Sequence, residues 1–282
     1  MTDAIQTDAD PIRYTYAVGD VHGRLDLLKS AVETIAAHSR GHRFRVVFLG
    51  DYIDRGPDSR RVIELLMGLQ TMWPVVCLKG NHEDLMLRSL VDREDGAMAL
   101  WLDNGGDQTL RSYGVQPDAE AEEQVPSEHI RWLSSLPLTT GDQHRIYVHA
   151  GLMPRTAVHR QKEQTCLWIR ERFLMGQPGD FEAHVVHGHT PLWQGKPNPA
   201  QPELLEHRTN LDTGAYATGV LSVGVFDSAE PGGPVEVLRI IGDPRGSLDF
   251  DPPEDDLAAG RETRGTSRWR RLTQYLRRAG AD

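Results

Sequence analysis

An α/β fold with a substantially parallel sheet is what the first third of the sequence predicts. Short apolar runs alternate with stretches of helical periodicity, and a polar, glycine-bearing loop follows each apolar run. This order of strand, polar loop and helix occurs three times in succession, the mark of βαβ units. In such sheets, ligands collect at the loops that leave the carboxyl ends of the strands.

Taken in order, "YTYAV" (Tyr14 to Val18) reads as a strand ending in Gly-Asp. Leu27, Leu28, Ala31, Val32 and Ile35 then fall at helical spacing within Leu25 to His38. "FRVVFL" (Phe44 to Leu49) predicts a buried strand, and Val62, Ile63, Leu65, Leu66 and Leu69 a helix from Ser59 to Leu69. "VVCL" (Val75 to Leu78) predicts a third strand, and "EDLMLRSLV" a helix after it. Residues Ala97 to Glu123 carry no clear period, with "DNGGDQT" read as turns and "DAEAEEQ" as a solvated acidic run. "RIYVHAG" and "AHVVHGHT" each read as a strand running into a polar loop. "GVLSVGVFD" and "PVEVLRII" read as antiparallel strands closing a second sheet.

The chain is expected to divide into a main folded unit over 1–242, a Pro-, Gly- and Asp-rich linker over 243–260 and a basic tail over 261–282. The tail holds seven arginines against two acidic residues; the total of −10 less this +5 leaves −15 on the remainder. Trp269, Leu272, Tyr275, Leu276 and Ala279 share one side of a helix there. It reads first as a terminal helix docked on the acidic body, with a membrane surface or a partner as the alternatives.

A hydrophobic content of 39% and a charged content of 26% suit a soluble globular protein. The net charge argues against a dedicated nucleic-acid binder, which needs a positive face. No apolar run reaches about 18 residues, so no transmembrane segment is expected. The polar N-terminus shows no secretion signal, and Cys77 in "VVCL" reads as a buried thiol. A cytoplasmic protein is expected.

The loops after the strands carry the chemistry. They deliver Asp20 and His22 in "GDVHGR", Asp51, Asp54 and Arg55 in "GDYIDRGPDS", and Asn81 and His82 in "GNHE". Later loops add His149 in "HAG" and His187 and His189 in "HGHT". Asp, His and Asn are poor core residues, so their recurrence at strand ends calls for another reason. Carboxylate, imidazole and amide oxygen without thiolate suit a pair of Mn, Fe or Zn ions better than Ca or a structural zinc. Two cations about 3.5–4 Å apart need a bridging carboxylate. Asp58, before Ser59 at a helix start, reads as a cap.

These motifs, in this order over Tyr14 to Phe226, resemble the phosphoprotein phosphatase branch of the calcineurin-like metallophosphoesterases, especially its bacterial and phage-lambda-type serine/threonine phosphatases. The resemblance implies a four-layer fold, with a central mixed β-sandwich flanked by helices. It implies that Asp20, His22 and Asp51 bind one metal ion, with Asp51 bridging, and that Asn81, His149 and His189 complete the other. His187 would be a neighbour of the site rather than a ligand. Arg55, Arg170 and Asn81 would hold the phosphate, although Arg170 in "IRER" also reads as a charged helix face. His82 would be the general acid, oriented by Asp54. The implied cofactors are two divalent ions, Mn first and Fe or Zn next. The implied reaction is in-line attack of a metal-bridging hydroxide on a phosphate ester. A phosphoprotein or phosphopeptide, dephosphorylated at serine or threonine and by extension tyrosine, is the expected substrate. A symmetrical bis(5'-nucleosyl)-tetraphosphatase or other small-molecule phosphoesterase is the nearest alternative, and an inactive phosphoprotein-binding scaffold the alternative of another class. Asp54 and Glu83 lean toward the phosphoprotein side.

Overall fold

The computed structural model describes residues 11–116, 121–193, 196–197 and 200–244. The first half comprises β1 (Tyr14–Val18), α1 (Leu25–Ser39), β2 (Phe44–Phe48), α2 (Ser59–Met72), β3 (Val75–Cys77) and α3 (Asn81–Leu90). Short helices follow: α4 (Ala97–Trp101), a kink over Leu102–Gly106, α5 (Asp107–Tyr113), α6 (Ala121–Gln124) and α7 (Ser127–Ser134). Next come β4 (Thr139–Gly141), β5 (Arg145–Val148), α8 (Glu163–Trp168), α9 (Glu171–Leu174) and β6 (His184–His187). The described chain ends with β7 (Leu192–Trp193), β8 (Lys196–Pro197), β9 (Glu203–Leu204), β10 (Arg208–Asn210), α10 (Ala215–Thr218), β11 (Val220–Asp227) and β12 (Glu236–Ile241).

Two five-stranded sheets result, ordered β12-β11-β1-β2-β3 and β4-β5-β6-β10-β9, with β7 and β8 forming a separate hairpin. β1, β2 and β3 run parallel in the first sheet, and β5, β6 and β10 in the second. Alternation of side chains along the strands sets the layers. Tyr16, Val18, Val46 and Phe48 point outward and pack with Leu28, Val32 and Ile35 of α1 and Val62 and Leu66 of α2. Ala17 and Val47 point the other way and meet Tyr147, Val186, Leu211 and Phe226 between the sheets. Ile146, Val148 and Val185 face out of the second sheet toward Cys166 and Phe173. The order is helix, sheet, sheet, helix. Each fully buried aliphatic side chain contributes about 1.5–3 kcal/mol.

β11 and β12 depart from expectation. They do not close the second sheet; β11 pairs antiparallel with β1, and β12 continues the first sheet beyond it. All eight residues of β11 are buried, because helices cover one face and the other sheet covers the opposite one. Residues 97–116 and 121–123 are more ordered than their pattern suggests, and Ala121, inside the expected acidic run, is fully buried. Asp58 occupies the N-cap position of α2, but its carboxylate makes no capping bond and lies 3.6 Å from Arg61. Both cysteines are free and buried. No helix among the described residues is long and apolar enough to cross a membrane. The linker beyond residue 244, the basic tail and the first ten residues lie outside the described residues.

Candidate active site

Six parallel strands, three from each sheet, point their carboxyl ends at one place. Asp20 and His22 follow β1, Asp51 and Asp54 follow β2, and Asn81 and His82 open α3 directly after β3; all are at most 3% exposed. From the second sheet come His149 after β5, His189 after β6, and Asp212 after β10. The residues nominated from sequence are thus brought together.

The backbone here is unusual. His22, Asp51, Asp54, Arg55 and His189 all have left-handed φ, between 45° and 71°. For residues other than glycine this costs roughly 1–2 kcal/mol each, so the surroundings must impose it. Glu83 does much of that work. Its buried carboxylate accepts hydrogen bonds from the backbone N–H groups of Asp51 (2.9 Å), Tyr52 (2.8 Å) and Gly80 (2.8 Å), tying the loops after β2 and β3 together. Asp51 Oδ1 in turn accepts from the His82 N–H in the first turn of α3, where a helix favours an anion.

The donor set fits a pair of divalent cations. His22 donates from Nδ1 to the Ile53 carbonyl at 2.8 Å, and His149 from Nδ1 to the Leu49 carbonyl at 2.9 Å. Each neutral ring therefore turns a bare Nε2 toward Asp51, at 3.6 Å from Oδ2 and 3.3 Å from Oδ1 respectively. Lone pairs facing carboxylate oxygens repel, and a cation between them converts the repulsion into coordination. Asn81 Oδ1 lies 2.9 Å from His149 Nε2 and 2.8 Å from His189 Nδ1. Asp20 Oδ2 accepts the His189 N–H at 3.0 Å, while Oδ1 is buried without a hydrogen-bond partner. A Cβ on Gly188 would stand 2.0 Å from that Oδ1, so glycine is required there. Two groups of ligand atoms, His22–Asp51–His82 and Asp51–His149–His189, each lie within 4.8 Å of one another and share Asp51. His82 enters the first group in addition to the ligands expected from sequence.

Charge follows the same geometry. Burial and the neighbouring Asp212 and Asp51 push Asp20 well above the usual carboxylate range. Burial and Asp51 push Glu83 up to about 8, and burial drives Asp212 to about 6. Burial also opposes charge on Asp51, but positive charge on the surrounding rings of His149, His82, His22 and His189, whenever they are protonated, overcomes it and lowers Asp51 below its ordinary value. Burial lowers His22, His149 and His189, leaving them as neutral imidazoles, the form that binds metal. His82 moves the other way. Burial works against its charge, yet Asp51 and hydrogen-bonded Asp54 raise it. Its Nδ1 lies 2.7 Å from Asp54 Oδ2.

Two arginines flank the cluster. Arg55 donates to His22 Nε2 at 2.9 Å, and its guanidinium stacks 4.8 Å from the ring of Tyr216. Arg170 lies between α8 and α9 and donates from Nε to His189 Nε2 at 3.1 Å, so it is not simply part of a charged helix face. His187 turns away, toward Arg208 and Phe173. Sequence reasoning missed Asp212 and Tyr216. The signal for Asp212 was "LDTG" after a strand of only three residues, Arg208–Asn210.

The profile of the calcineurin-like phosphoesterases matches residues 14–218. Serine/threonine-protein phosphatase 1 of Salmonella typhimurium is 31% identical over 185 residues, covering 64% of this chain and 80% of that protein. A symmetrical bis(5'-nucleosyl)-tetraphosphatase of Dechloromonas aromatica is 31% identical over 183 residues, covering 65% of this chain and 57% of that protein. A crystal structure assigned provisionally to a diadenosine tetraphosphatase superposes with a TM-score of 0.56 at 23% identity, over 83% of this chain and 95% of the other. With the two-sheet fold and the shared carboxylate in a His- and Asp-lined centre, the profile match establishes that the chain belongs to the calcineurin-like phosphoesterase family, hydrolases that use divalent metal to cleave phosphoric esters.

Proposed function

We propose that the protein is a serine/threonine phosphoprotein phosphatase, with phosphotyrosine as an additional substrate. The observation that carries this reading is the pairing of His82 with a fully buried Asp54 at 2.7 Å. A serine or threonine alkoxide is a strong base and a poor leaving group, and departs only if protonated. The nucleotide released from a dinucleoside tetraphosphate is a weaker base with much less need of an acid. A dyad that keeps an imidazolium in place suits the first reaction. The likeness to the Salmonella phosphatase supports the same choice.

Two divalent ions, Mn in our reading and Fe or Zn as alternatives, would be held by Asp20, His22, Asp51, Asn81, His149 and His189. When bound they would supply positive charge to the phosphoryl oxygens and lower the pKa of a water for in-line attack on phosphorus. Arg55 and Arg170 grip the phosphoryl oxygens, where a forked guanidinium suits bidentate contact. The Asn81 amide lies in the same place. His82 passes the proton on Nε2 to the departing oxygen while Asp54 keeps its hold on Nδ1. No covalent phosphoenzyme is required. We assign catalysis to 1–242, treat 243–282 as linker and basic appendage, and place the protein in the cytoplasm, in keeping with its two unpaired, buried cysteines.

The test is a direct comparison of kcat/KM on phosphoserine or phosphothreonine peptides and on diadenosine tetraphosphate, with Mn and the full chain. The peptides are expected to be the better substrates. Faster cleavage of the dinucleotide would replace this reading with the tetraphosphatase one.

A further inference from the structure

The segment from Trp101 to Thr109 wraps around Asp54 and Arg55, and the metal centre does not account for it. Trp101, fully buried at the end of α4, donates its indole N–H to both oxygens of Asp54, at 3.0 and 2.9 Å. Thr109, in the first turn of α5, donates its hydroxyl to Asp54 Oδ1 at 2.6 Å and accepts the Asp54 N–H at 2.9 Å. The kink between them, where Gly105 has φ 97°, gives the Gly105 carbonyl to the Arg55 N–H at 3.1 Å. Gly106 lies so close to the indole that a Cβ would stand 2.6 Å from the ring. Indole, hydroxyl and carbonyl are therefore spaced by one turn around two consecutive residues. With His82 on Oδ2, both Asp54 oxygens are engaged and the carboxylate has one orientation.

We propose that Trp101 and Thr109 are positioning residues for the acid step. They fix Asp54, Asp54 fixes the His82 ring, and His82 Nε2 is thereby aimed at the departing oxygen. The inference rests on the reading of His82 as the acid. As the P–O bond breaks, its electron pair goes to the leaving oxygen and the proton on Nε2 follows, while Asp54 remains a carboxylate. A weakly basic leaving group such as p-nitrophenolate departs without that proton. Phenolate, and more so a serine alkoxide, cannot. Loosening the dyad therefore hurts in proportion to leaving-group basicity, whereas a merely structural defect depresses every substrate alike.

Trp101→Phe and Thr109→Val would be compared with wild type and His82→Asn on p-nitrophenyl phosphate, phenyl phosphate and a phosphoserine peptide. Bound metal and melting temperature would be recorded for each. Both variants are expected to lose about tenfold more kcat/KM on the phenyl and serine esters than on p-nitrophenyl phosphate, a fraction of what a general acid supplies. Their metal content should match wild type. Uniform loss in both, with His82→Asn still discriminating between substrates, overturns this inference and leaves the acid reading standing. If His82→Asn itself fails to discriminate, both fall. Should Trp101→Phe not fold, Thr109→Val, which keeps the side chain's shape, decides alone.

Discussion

At the scale of single residues, His82 is where two roles compete. Its Nε2 is 3.8 Å from Asp51 Oδ2, within reach of a metal site, yet its Nδ1 is committed to Asp54. As an acid it can be removed without emptying the centre; as a ligand it cannot. Asp54→Asn and His82→Asn are expected to lower kcat on phosphoserine peptides by about 10²–10⁴ with bound metal close to wild type. Asp51→Asn should lose metal. Metal analysis beside kinetics settles the matter, and equal metal loss in all three would make His82 a ligand. The residues named from sequence were legible because polar side chains stood where a buried strand had just ended. Trp101 and Thr109 were not, since an indole and a hydroxyl in a glycine-broken stretch look like ordinary packing until Asp54 is seen between them.

At the scale of elements, the βαβ units were legible because α1 and α2 run 15 and 14 residues, long enough to show their period. β9 and β10, two and three residues long, were too short to leave one. Alternation in β11 and β12 announced strands but not neighbours: it reports which side chains share a face, never which edge accepts the strand. One joint between elements carries a pH dependence. His184 in β6 lies with Nε2 2.8 Å from Thr209 Oγ1 in β10, and its Nδ1 reaches the Glu206 carbonyl at 3.1 Å. Burial pulls its pKa from 6.5 down to about 4. The folded state thus favours the neutral ring more than the unfolded chain does. Its stability contribution is complete above about 6.5 and is lost as pH falls toward 4. Melting temperatures between pH 7 and pH 4.5 should therefore fall less steeply in His184→Gln than in wild type. Parallel curves would show that this joint does not titrate as described.

At the scale of the whole molecule, the sandwich was anticipated through family resemblance; periodicity indicated parallel units and antiparallel strands closing a second sheet, but not how the two sheets face each other. What no pattern in the sequence revealed is how the donors divide. Asp20, His22, Asp51 and Asn81 come from the first sheet, His149 and His189 from the second, and Asp51 reaches across to His149 at 3.3 Å. The residues expected at one ion, Asp20, His22 and Asp51, all come from the first sheet, whereas those expected at the other are divided between the two sheets. The centre is a seam closed from both sides, and metal captured there would act as a rivet between two independently hydrogen-bonded layers. Loading then follows assembly, and a binder of the native state alone raises stability as its concentration passes the dissociation constant. Added Mn should raise the unfolding temperature of the chelator-stripped protein in a concentration-dependent way, and His189→Ala should blunt that gain. An unfolding temperature indifferent to Mn, in protein whose activity still requires it, would mean that the layers hold together without the rivet.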